Sequence, residues 1–75
     1  MRLDTLPPGS SAVVVGYATD RPRHRFVEMG LVPGVLITAL RRAPFGDPVA
    51  YAVMGSRIAL RRSDAASVLI EPADR

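Results

Sequence analysis

The amino-acid sequence predicts a mainly β domain, a small barrel of about five strands with one short helix between strands one and two. Three observations carry this expectation. Short apolar runs rich in Val, Ile and Leu recur along the chain, each bounded by Gly or Pro. Only one substantial segment has helix signals at both of its ends. The chain has 75 residues, which is room for one domain and too few for stacked layers.

Leu3 to Leu6 is a short apolar lead-in, and Pro7, Pro8, Gly9, Ser10 and Ser11 read as a turn. Ala12–Tyr17 is β-branched and apolar, hence strand one, and its continuous valines suggest that both faces are at least partly covered. Asp20 before Arg21 and Pro22 is a helix start, because proline is tolerated where its missing N–H would have no intrahelical partner. The helix covers Pro22–Met29, with Phe26, Val27 and Met29 apolar and Arg21, Arg23 and Arg25 on the wet side. Gly30 ends it as a left-handed cap. A helix of about two to three turns is marginal alone and forms by docking Phe26 and Met29 on the sheet.

Val32-Pro33-Gly34 suits a type II turn. Val35–Arg42 is strand two, with Val35, Ile37 and Ala39 on one face and Leu36, Thr38 and Leu40 on the other. Residues 43–48 form a hairpin loop in which Asp47 makes a local side-chain hydrogen bond. Val49–Val53 is strand three, Gly55 permits a tight connection, and Arg57–Leu60 is strand four. Ser63 caps a helical turn through Ala66, and Ser67–Glu71 closes as strand five. Phe26 and Leu60 are expected in the core. The single domain spans 1–75, with its core in 6–71 and a loose tail at 72–75. An SH3-like barrel is the economical solution for five strands in so few residues, and closure would remove exposed sheet edges.

Composition narrows the function. No cysteine is present, so disulfides, iron–sulfur clusters and thiolate metal sites are excluded, in keeping with a reducing compartment. No run approaches the roughly 18–20 apolar residues that span a bilayer, and Ala12–Val15 is too short for a signal-peptide core. A cytoplasmic protein without direct membrane insertion is expected. The net charge is +3, and all ten basic residues are arginine. They are spread along the chain rather than gathered with aromatics in a stripe, so nucleic acid is not the expected partner.

The residues that carry chemistry are sparse. His24 is the only histidine, set among arginines with no second histidine or cysteine to share a metal. The carboxylates Asp4, Asp20, Glu28, Asp47, Asp64, Glu71 and Asp74 have no metal-ligand spacing. Ser10, Ser11, Ser56 and Ser63 have no base partner nearby in sequence, and the glycines form no phosphate-cradling loop. No enzyme, no catalytic residue, no metal site and no cofactor is expected. What remains is surface. Phe45 lies between Pro44 and Gly46, and Met54 lies beside Gly55. Each either folds back onto the barrel or stays exposed. If both are exposed, they form an apolar patch rimmed by Arg41, Arg42 and Arg57, of the kind that marks a partner site.

Three segments carry a family resemblance. Arg25-Phe26-Val27-Glu28-Met29-Gly30-Leu31-Val32-Pro33-Gly34 resembles the helix-to-turn element of FeoA proteins, R-L-x-x-L-G-hydrophobic-x-P-G. Ala43-Pro44-Phe45-Gly46-Asp47-Pro48 is similar to the family's A-P-L-G-D-P loop, and Ile58 to Ala65 to its L-x-L-R-x-x-E-A segment. Phe45 stands where leucine is usual, Met54 where a basic or polar residue is common, and Asp64 where glutamate is common. The resemblance covers about Leu6 to Ile70. It implies an SH3-like barrel of bacterial ferrous-iron uptake that acts on the cytoplasmic side of the membrane transporter FeoB, which carries a G-protein domain. The same barrel occurs as the C-terminal domain of iron-dependent repressors. A start methionine and the lack of a helix-turn-helix favour a stand-alone protein. The alternatives are a regulatory module akin to those repressor domains, a basic nucleic-acid-binding barrel, and a direct iron carrier.

Overall fold

The computed structural model describes residues 1–18 and 23–73. A 3-10 turn (Leu3–Thr5) leads into β1 (Ser11–Tyr17), α1 (Arg23–Glu28), β2 (Leu36–Arg42), β3 (Val49–Val53), β4 (Ser56–Leu60), α2 (Arg62–Ala65) and β5 (Val68–Pro72). The five strands form one antiparallel sheet in the order β4-β3-β2-β1-β5. It wraps a single core holding Phe26, Ile37, Tyr51, Leu60, Val68 and Ile70, so Phe26 and Leu60 are core residues as expected. The element types match the sequence reading, and the strand ends move by a residue or so. Asp20 and Pro22, read as the start of the helix, lie outside the described residues.

Several expectations are corrected. First, pairing does not close the barrel: β4 and β5 are the ends of the sheet order. The N-terminal segment covers β5 instead. Ile70 N–H donates to the Met1 carbonyl at 2.7 Å, and Arg2 bridges Leu69. Leu3 and Leu6 are buried, so the core reaches ahead of residue 6. Second, Pro72 is not tail. It pairs with Ala12, and Ala73 N–H donates to the Ser11 carbonyl at 3.2 Å. Third, Ser63 does not cap the second helix; it lies within α2, and Arg61 is the N-cap. Fourth, Asp47 does not bond locally: its Oδ1 accepts from Arg62 N–H, the first residue of α2, at 2.9 Å. The loop before β3 thus caps the helix after β4, satisfying a donor that the helix start leaves open.

Within the described residues the first helix ends at Glu28, one residue before the expected Met29. What fixes it is its end. Gly30, at φ 89°, donates to Val27 at 3.0 Å, and Leu31 donates to Phe26 at 2.8 Å. These bonds make a Schellman stop, which brings Phe26 and Leu31 together, and both are buried. Tyr17 at the end of β1 stacks on Phe26, with centroids 5.8 Å apart and rings 8° from parallel. Its hydroxyl donates to the Leu31 carbonyl. The turn follows at once: Val35 N–H donates to Val32 at 3.2 Å across Pro33 and Gly34.

Two strands carry an extra residue. The β1–β5 register shifts between Val14 and Gly16, leaving Val15 exposed in a run expected to be covered on both faces. The β2–β3 register shifts between Ala39 and Arg41, so Leu40 is the extra residue there.

Phe26→Ala removes the ring beneath Tyr17 and Leu31. It should cost about 3–5 kcal/mol, a large part of the stability of a small domain. Urea denaturation monitored by circular dichroism should show a protein largely unfolded at physiological temperature; near-wild-type stability would contradict the role given to Phe26. Asp47→Ala should cost about 1 kcal/mol through the lost cap of α2, with Asp47→Asn recovering most of it. The same denaturation curves check this, and equal midpoints for all three proteins would refute the cap.

Candidate docking face

Alternation along β3 sends Val49, Tyr51 and Val53 into the core, leaving Ala50 and Ala52 on the outer face. The register sets two rows across that face: Thr38, Ala52 and Arg57 in one, Arg41, Ala50 and Ala59 in the other. Three alanines at these positions leave the face low. A hollow of about 430 Å³ is lined by Arg41, Arg42, Pro44, Pro48, Ala50 and Ala59. A second, of about 510 Å³, is lined by Val35, Leu36, Thr38, Ala52, Met54 and Gly55.

The residues singled out in the sequence fall at the two ends of this face. Phe45 is 98% exposed at the tip of the loop, where Gly46 N–H closes a turn on the Ala43 carbonyl at 2.7 Å. It does not fold back onto the barrel. Met54 is 72% exposed at the β3–β4 turn. These two positions lie at opposite ends of β3, whose five residues rise about 3.3 Å each. Phe45 and Met54 therefore do not form one patch. Arg41, Arg42 and Pro44 belong to the Phe45 end, while Arg57, opposite Ala52, lies toward the Met54 end. Leu36, 54% exposed beside Met54, was missed as a surface residue, as were the alanines. The alternation of β2 and β3 carries that signal once the buried face is known.

Met54 occupies a strained backbone. Its φ is 51° and that of Gly55 is 81°, the two positive values of a type I′ hairpin turn. Asn or Gly normally fills the first position; Met there costs on the order of 1 kcal/mol. The thioether sulfur lies 3.6 Å from where a Cβ on Gly30 would stand, so the turn reaches the end of α1.

Among the described residues the ion pairs are Arg2–Asp4 at 3.2 Å and Arg25–Asp64 at 3.6 Å. Arg41, Arg42 and Arg57 enter neither. Burial pushes the Tyr51 phenol above its usual value, reinforced by Asp4 and opposed by Arg42, so the phenol stays neutral and is no base. His24 is exposed on α1. No three His, Cys, Asp or Glu side chains gather among the described residues, and no helix there is long and apolar enough to cross a membrane. The arrangement suits contact with another macromolecule.

Known proteins are similar to this chain in sequence and fold. Residues 1–72 match the FeoA domain family. A Porphyromonas gingivalis Fe(2+) transport protein A/Fe(2+) transporter FeoB fusion protein is 43% identical over 72 residues, which are 95% of this chain and 8% of that protein. The chain thus spans a small part of that relative. The solution structure of FeoA protein from Chlorobium tepidum superposes with a TM-score of 0.90 at 32% identity, covering 99% of this chain and 71% of that one. FeoA of Stenotrophomonas maltophilia, crystallised with zinc and described as a procaryotic SH3 domain protein, gives 0.81 at 34% identity, with coverage of 95% and 89%. With the three motifs, the SH3-like sheet and a family match over nearly its whole length, the chain belongs to the FeoA family.

Proposed function

We propose that the chain is a non-enzymatic accessory protein of bacterial ferrous-iron uptake, acting in the cytoplasm by docking on the G-protein domain side of a FeoB-like membrane transporter. The observation that carries this reading is the Porphyromonas gingivalis relative, in which a domain 43% identical to this chain is joined to FeoB in one polypeptide. Joining two partners raises their effective concentration, which is useful when they work in contact. The low alanine face supports the same reading, because it presents apolar surface and unpaired guanidinium groups together.

Within that face Phe45 is the anchor. It is a rigid aromatic between Pro44 and Gly46, so little conformational entropy is lost when it enters a pocket. Arg41, Arg42 and Arg57 orient the complex toward acidic groups and speed encounter. Met54 and Leu36 make a second apolar contact at the other end. Iron is the cargo of the transporter in this scheme, and the chain holds none itself.

Binding of the purified chain to the cytoplasmic G-protein domain of the FeoB transporter from the same organism, followed by calorimetry, tests the proposal. Saturable binding is expected. Phe45→Ser should leave the melting temperature unchanged, because the ring is 98% exposed, and weaken binding about tenfold. No binding, or binding indifferent to Phe45→Ser, would overturn it.

A further inference from the structure

The Arg41 end of the face contains a specific chemical arrangement. In a regular strand Arg41 would follow Ile37 and Ala39 onto the core side. The extra residue in β2 reverses this. Ala39 pairs with Tyr51, Arg41 pairs with Ala50 on the outer face, and Leu40 takes up the shift. Arg41 and Arg42 then line one hollow, over a floor made by Ala50, Ala59, Pro44 and Pro48. Neither arginine enters an ion pair among the described residues. Both cationic side chains line the one hollow in a chain that already carries a net charge of +3.

The lining also discriminates between anions. Pro44 and Pro48 have no N–H, and the N–H of Ala43 is donated to the Pro48 carbonyl at 2.9 Å. No lining side chain carries a hydroxyl. Phosphate sites draw on several backbone N–H groups as well as cations. Here the guanidinium forks are the side-chain donors, and they match a planar carboxylate bidentately. The apolar floor suits an aliphatic side chain beside it.

We infer that this hollow is a carboxylate-binding subsite that takes an acidic side chain next to an apolar one in an extended segment of the protein partner. Its biological setting rests on the docking reading above, but its chemistry is tested without the transporter. The blocked tripeptide acetyl-Glu-Leu-Glu-amide is titrated into the ¹⁵N-labelled full chain, with acetyl-Gln-Leu-Gln-amide and inorganic phosphate as the other arms. Shift changes should concentrate at Arg41, Arg42, Ala43, Ala50 and Ala59 with the Glu peptide and be absent with the Gln peptide. The double change Arg41→Gln and Arg42→Gln should weaken the Glu peptide about tenfold, and Arg57→Gln by less than about twofold. The dispersed spectrum of each variant reports that it is folded. Equal binding of the Gln peptide, tighter binding of phosphate at the same amides, or shifts scattered over all arginines would each overturn the assignment. Because no transporter is present, a positive result here with no binding to the G-protein domain would fault the docking partner and leave the subsite standing.

Discussion

Phe26 is held from two sides, by Tyr17 stacked on its ring and by Leu31 folded back against it at the end of α1. This contact joins the last residue of β1, the helix and the turn into β2. A helix this short does not persist alone. It survives because its stop signal buries Phe26 and Leu31 in the same core as Ile37, Tyr51 and Ile70. Gly30 makes the stop possible, since its φ of 89° is poorly accessible to a side-chain-bearing residue. Once the helix is pinned, β2 starts beside β1, and β3 and β4 follow as hairpin partners.

That inner packing releases the outer face from structural duty. Val49, Tyr51 and Val53 fill the core, so Ala50 and Ala52 need contribute nothing to it. Larger β-branched residues would favour a strand more than alanine does, and the alanines instead leave hollows at both ends. Local departures from regular geometry occur where this face is shaped. The extra residue in β2 turns Arg41 outward, and the positive φ of Met54 holds an exposed methionine at a turn that would be less strained with Asn or Gly. Asp47 connects the face to the rest of the chain, because the loop carrying Phe45 also caps α2.

The order and type of the elements were readable because each carries a local signal: apolar alternation in β2 and β3, Pro33-Gly34 in the turn, Gly30 at the helix end. The candidate site was only partly readable. Phe45, Arg41, Arg42 and Met54 stand out by residue type, but strand geometry separates Phe45 from Met54, and nothing local to either residue states that distance. The two extra residues in β1 and β2 depend on cross-strand register, which a single chain segment does not encode. Residue type places the Asp47 bond in its own turn, because a local bond is the default for aspartate before proline; its partner in the fold is 15 positions away. Ser63 looked like a cap by type, yet the helix starts one residue before it.

In the docking proposal the protein works through one face of its sheet. Hydrogen exchange on the chain, alone and with the FeoB G-protein domain, tests that claim most directly. Slowed exchange is expected over the loop at 43–48 and the exposed edge of β4, with α1 and β5 unchanged. Protection confined to α1 and β5, or no protection anywhere under saturating partner, would contradict it.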